Sequence, residues 1–117
     1  MSITKFNKSE MLFNNTEKFE EFRTLEELFN TNGKEEKYLV NGLYTYKSVY
    51  GDGCFIKSNG FNISLPSHMV ETVKEIREDA ESVEEINQGL VYVEIYSYNL
   101  PDKYPDKTFY SINFVTV

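Results

Sequence analysis

An all-β domain with added helices is the fold class this sequence predicts, and three observations predict it. After residue 37, most of the chain alternates apolar and polar side chains at the two-residue period of a pleated strand. Short turns carrying glycine, VYGDG and SNG, separate the first three of these stretches. Apolar residues keep three- and four-residue spacing in only two regions, one ahead of the strands and one between the third and fourth.

The first region is residues 1–36, read as a leader and an amphipathic helix. In TEKFEEFRTLEELFN, Thr16 is the candidate N-cap, and Phe19, Phe22, Leu25, Leu28 and Phe29 form an apolar stripe. That stripe must land on the domain's own sheet or on a partner subunit, and Met11, Leu12 and Phe13 are expected to add a short packed segment. Residues 37–117 form the main domain. YLVNGLYTYKS reads as one long strand, Tyr38 to Ser48, with Gly42 where a sheet can bend or bulge. GCFIK is the second strand, and FNISL the third, with Phe61, Ile63 and Leu65 facing inward.

Pro66 ends the meander, and Met69, Val73 and Ile76, then Val83 and Ile86, carry helical spacing. Ser67 is the expected N-cap and Gly89 the stop. Leu90 to Tyr98 is the fourth strand, with Val91, Val93 and Ile95 on one face. Asn99 to Lys107 reads as a long loop and Thr108 to Val117 as the fifth strand. Three strands, a helix and two strands is the order of an OB-fold, a five-stranded Greek-key barrel with its helix between strands three and four. A ferredoxin-like split fold, or a sheet with one packed helix, fits the same pattern.

The chain of 117 residues suits one domain with a single core. No apolar run is long enough for a signal peptide or a membrane span, so a cytoplasmic protein is expected. The lone Cys54 excludes an internal disulfide. The net charge of −7 argues against electrostatic, nonspecific nucleic-acid binding. Its acidity is concentrated, however: seven acids between Glu71 and Glu85 stand against Lys74 and Arg77, while the strand region holds Lys37, Lys47 and Lys57 against Asp52 alone.

The feature that invites a function is the excess of rings on strand faces opposite the core. Tyr44 and Tyr46 of the first strand, Phe55 of the second, Tyr92, Tyr96 and Tyr98 of the fourth and Phe109 of the fifth form a candidate stacking platform. Every base has a π face, so such a platform is indifferent to base identity. Lys47, Lys57, Lys103 and Lys107 lie beside these rings, where they can follow phosphates. The structural alternative is that these tyrosines cover the N-terminal helix, Tyr92 above all, or form a dimer contact.

Catalysis finds little support. His68 has no partner motif, the helix acids read as a solvated face, and Cys54 alternates inward as a core thiol. The Gly51–Asp52–Gly53 turn lacks a phosphate-binding fingerprint. No enzyme activity, cofactor or metal is expected.

Taken together, YGDGCFI, FNISLPSHMVETVKEI, INQGLVYVEIYSY and KTFYSINFV give a pattern, from Tyr38 to Val117, that resembles the small single-stranded-DNA-binding proteins encoded by phages of low-GC Gram-positive bacteria. Residues 1–36 lie outside the resemblance. It implies an OB-fold, a homodimer, single-stranded DNA coated during phage replication or recombination in the host cytoplasm, and a phage recombinase or replication protein as partner. Carried over by position, it points to Tyr44, Tyr46 and Phe55, with Lys47 and Lys57 beside them, and to a loop, Asn99 to Lys107, that folds over the strand. Asp102 and Asp106 in that loop depart from the expected charge. The ending NFVTV lacks an acidic tail, so recruitment of partners through a tail is not expected. The competing reading is an acidic interaction or inhibitor module that meets a host protein through the Glu71 to Glu85 helix.

Overall fold

The computed structural model describes residues 12–117, so Met11 and the leader before it lie outside the described residues. The elements are β1 (Phe22–Arg23), α1 (Leu25–Asn32), β2 (Lys37–Leu39), β3 (Gly42–Ser48), β4 (Gly51–Lys57) and β5 (Asn62–Leu65). A 3-10 turn (Ser67–Met69), α2 (Val70–Glu78), α3 (Ala80–Asn87), β6 (Val91–Leu100) and β7 (Tyr104–Thr116) follow. The strands form two sheets, ordered β1-β5-β4-β3 and β2-β6-β7. Neither closes on itself, which differs from the expected closed barrel: β5 pairs in parallel with β1, through Phe22↔Asn62 and Arg23↔Ile63, and its other edge belongs to β4.

The long strand expected from Tyr38 to Ser48 is two strands in two sheets. β2 pairs with β6, and β3 with β4. At the junction, Val40 N–H still donates to Val91 O in one sheet, while Asn41 N–H donates to Lys57 O in the other. The chain therefore crosses between sheets within one peptide unit, just before Gly42. A Cβ on Gly42 would lie 2.7 Å from the ring of Tyr44, so the glycine also lets that ring lie back over its own strand.

The sheets share one core. Leu43, Ile56 and Ile63 sit side by side across β3, β4 and β5, all fully buried, and Val40, Val93 and Ile95 line the other sheet. Leu25 and Leu28 of α1 and Val73, Val83 and Ile86 of α2 and α3 complete it. Cys54 is buried there as its alternation predicts, and burial raises its thiol pKa.

The N-terminal helix is shorter than its apolar spacing suggests. It begins at Leu25, capped by Thr24, whose Oγ1 accepts from Glu27 N–H at 3.1 Å while the Glu27 carboxylate accepts from Thr24 N–H. This reciprocal capping box, T-x-x-E, is the sequence signal that Thr16 lacks, since Phe19 occupies the corresponding position. Phe19 and Phe22 thus lie outside the helix. In the second helical region, Ser67 opens the 3-10 turn instead of capping α2, and the extended backbone of Asp79 divides α2 from α3. Gly89, at φ +74, ends α3 as expected. Among the described residues no helix is long and apolar enough to cross a membrane.

The largest correction concerns residues 99–107. The ladder runs into the expected loop: β6 and β7 pair without interruption from Val91↔Thr116 to Asn99↔Thr108, then again at Leu100↔Tyr104. Residues 105–107 bulge out of β7, and the turn is only residues 101–103. The result is a long antiparallel hairpin whose distal part, from Tyr96 onward, is largely solvent-exposed.

Candidate nucleic-acid interface

The seven rings expected to form one platform fall into two groups and a singleton. On the outer face of the first sheet, Tyr44 and Phe55 are directly paired and stacked, with centroids 5.3 Å apart and planes 24° from parallel. Tyr46 leans on Phe55 at 6.3 Å. Gly53 is what allows this, because a Cβ there would lie 2.3 Å from the Tyr46 ring. Two rings outside the expected set join them: Phe22, edge-on to Phe55 at 5.2 Å, and Phe13, edge-on to Tyr44 at 5.6 Å.

This group is anchored. Arg77 reaches from α2, places its guanidinium 5.5 Å from both the Phe13 and Tyr44 ring centroids, and donates to Leu43 O. Burial raises the Tyr44 hydroxyl above its ordinary pKa, with the Arg77 charge pulling the other way. Lys57, expected beside phosphates, is only 6% exposed. Its ammonium donates to the carbonyls of Asn15 and Glu17, and burial lowers its pKa, partly offset by the charge of Glu17. Lys57 therefore binds its own chain. Asn62 adds a side-chain bond to Phe19 O and a backbone bond to Glu21 O. Residues 15–21 become a strap across the outer face, and between strap and sheet lies a groove of about 610 Å³ lined by Thr16, Phe19, Phe22, Tyr44 and Phe55 among others.

Tyr46 and Phe22 remain open to solvent, at 50% and 52% exposure. Lys47 is exposed and stands opposite Asp52 in register, but Asp52 has its ion-pair contact with Lys74 of α2. At the β3–β4 tip, Val49 and Tyr50 project almost wholly into solvent.

The second group runs along the hairpin. Tyr98 and Phe109, a cross-strand pair, stack at 5.5 Å and 22°. Tyr96 extends the row on one side at 6.1 Å and Tyr104 on the other at 5.6 Å. Lys107 spans Tyr104 and Phe109, its ammonium 5.7 and 5.2 Å from their centroids. The bulge of residues 105–107 that disrupts the ladder is what carries this lysine into the row. Lys103 is exposed in the turn. Tyr92 belongs to neither group: it lies between Leu39 and Val115 in register, and α1 meets Tyr110 instead, through Phe29 at 5.4 Å.

Sequence reasoning missed Phe22, Arg77, Tyr50 and Tyr104 as members of these surfaces; Phe13, 2% exposed, is buried as the packed segment expected of it. The composition shift to KYPDK concealed Tyr104, and helical spacing misassigned Phe22. Arg77 gave no signal beyond being a cation among the helix acids.

No family model matches the chain, and no curated protein or solved structure shows detectable similarity to it.

Proposed function

We propose that this protein binds single-stranded DNA without sequence specificity, stacking bases along the hairpin and following the backbone with Lys103 and Lys107. The observation that carries the reading is the row Tyr96–Tyr98–Phe109–Tyr104, exposed at its two ends and half-buried at Tyr98 and Phe109, with Lys107 over its distal rings. A row of rings on a rigid ladder suits bases that arrive one after another, and each stacked base contributes roughly 1–3 kcal/mol. A duplex hides its base faces and offers such a row nothing.

The strand order supports the same reading. A three-strand meander, a helical segment and a final hairpin, with β2 leading from one sheet to the other, follow the connectivity of an OB-fold. In that architecture the loops joining strands one to two and four to five hold the ligand. Their counterparts here are the β3–β4 tip with Tyr50 and the aromatic hairpin. The two sheets stay open, and β1 takes the edge of β5 that a closing strand would occupy. With few cations available, stacking contributes more than charge, and affinity should fall only weakly with salt.

Fluorescence anisotropy of labelled oligo-dT of about 15 and about 35 bases tests the proposal at low and moderate salt. Submicromolar affinity that rises with length and resists competition by duplex DNA is the expected result. An unchanged anisotropy at micromolar protein would overturn it.

A further inference from the structure

β7 is the edge of its sheet, bonded to β6 on one side and to no strand on the other among the described residues. Ladder alternation fixes which of its backbone groups are free. Val117 N–H donates to Leu90 O, so the odd-numbered residues of β7 turn toward β6. The N–H and C=O groups of Thr108, Tyr110, Ile112, Phe114 and Thr116 point the other way, along an edge that no strand among the described residues pairs with.

Soluble proteins protect a long edge with lysines, prolines, bulges or a covering element. The tip of this hairpin has such devices, in Pro105, Asp106, Lys107 and the bulge at residues 105–107. The run TFYSINFVTV, residues 108–117, has no proline and no residue charged at neutral pH, in a chain of net charge −7, and α1 meets it through Phe29 on Tyr110, on the core side. It is also rich in β-branched and aromatic residues, the composition that pairs most readily with another strand.

The sequence of this edge is symmetric in chemical type about Ile112. Thr108 mirrors Thr116, Phe109 mirrors Val115, Tyr110 mirrors Phe114 and Ser111 mirrors Asn113. In an antiparallel pair centred on one residue, those are the residues brought face to face. We infer that the free edge of β7 pairs antiparallel with the same edge of a second copy of this chain, across a two-fold axis at Ile112. Each outward residue then exchanges its N–H and C=O bonds with its mirror: Ile112 with Ile112, Tyr110 with Phe114 and Thr108 with Thr116. On the core side, Phe114, 36% exposed in the single chain, gains an aromatic neighbour. On the outer side serine meets asparagine. An isologous contact of this kind closes at two copies, and the uncharged edge is where two acidic molecules approach with least repulsion. The pairing does not depend on nucleic-acid binding.

Analytical ultracentrifugation and a register-specific cross-link test it. The full chain should sediment at twice 13.7 kDa at micromolar concentration. Ser111 and Asn113 face each other across the axis as a non-hydrogen-bonded pair, with Cα atoms about 4.5 Å apart, within disulfide reach. An equimolar mixture of Ser111→Cys and Asn113→Cys proteins should therefore give a covalent dimer under a mild oxidant, several-fold more than either variant alone. Cys54, buried in the core, serves as the unchanged background in all three samples. A 13.7 kDa species throughout, or a dimer whose mixture cross-links no better than the single variants, would overturn the assignment.

Discussion

The two aromatic groups are built from the same residue types but differ in what stands behind them. Within the sheet-face group, Phe13, Tyr44 and Phe55 are held by the sheet beneath, by Arg77 from α2 and by the strap on Lys57, while Phe22 and Tyr46 stay about half exposed at its rim. The hairpin group, Tyr96, Tyr98, Tyr104 and Phe109, has the β6–β7 ladder and its own Lys107. A ring packed from several sides contributes to stability and has little surface left for a ligand, whereas a ring supported from one side keeps its π face available. Substitutions at Phe13, Tyr44 and Phe55 should therefore be felt in folding, and those in the hairpin group in binding.

The sharpest separation is expected at Tyr44. Tyr44→Ala removes a half-buried ring with its stacking and cation–π contacts, and should lower the unfolding free energy by about 2–4 kcal/mol in urea titrations. An effect as small as that of an exposed residue would dissolve the distinction between the groups. Next in size is Lys57→Met, which keeps the buried stem and deletes the two bonds to the strap. A loss of about 1–2 kcal/mol is expected, with faster hydrogen exchange across residues 15–21; unchanged exchange would mean the strap is held by other contacts.

Tyr98→Ala should leave stability within about 1 kcal/mol of the parent yet weaken oligo-dT binding about tenfold, the equivalent of some 1.4 kcal/mol. If Tyr46→Ala weakens binding and Tyr98→Ala does not, the ligand face is the sheet and the roles of the groups are reversed. The smallest effect lies in alkaline pH. Burial holds the folded-state pKa of Tyr44 above its ordinary 10.0, so its contribution to stability is complete below that value and is lost as pH rises through the folded pKa. Tyr44→Phe, which cannot ionise, should flatten that decline in thermal melts above pH 10.0.

How much of this was legible in the sequence differs from element to element. The two-residue alternation of Val91, Val93 and Ile95 located β6 and its buried face, because periodicity survives any tertiary context that buries one side. The split between β2 and β3 was hidden, since a strand that changes sheets keeps its alternation and only its partners differ. The hairpin was obscured by Pro101, Pro105 and the acid–lysine pairs around them, which are turn residues by composition but fall in the turn and the bulge, beyond the regular ladder that ends at Asn99↔Thr108. Of the candidate site, the pairing of Tyr44 and Tyr46 with Phe55 was readable from strand faces. The withdrawal of Lys57 was not, because it depends on where residues 15–17 cross the sheet, a contact with no local signature.

That contact also bears on the order in which the molecule assembles. The β6–β7 hairpin closes between neighbours in the chain, so its ladder can form early and quickly. Lys57 and Asn15 are 42 residues apart, and the strap can dock only on a β4–β5 surface that already exists. The outer face of the sheet should thus be uncovered in the last folding intermediate and sealed in the final step, leaving the strap as the segment that comes and goes most easily once the rest of the fold is in place.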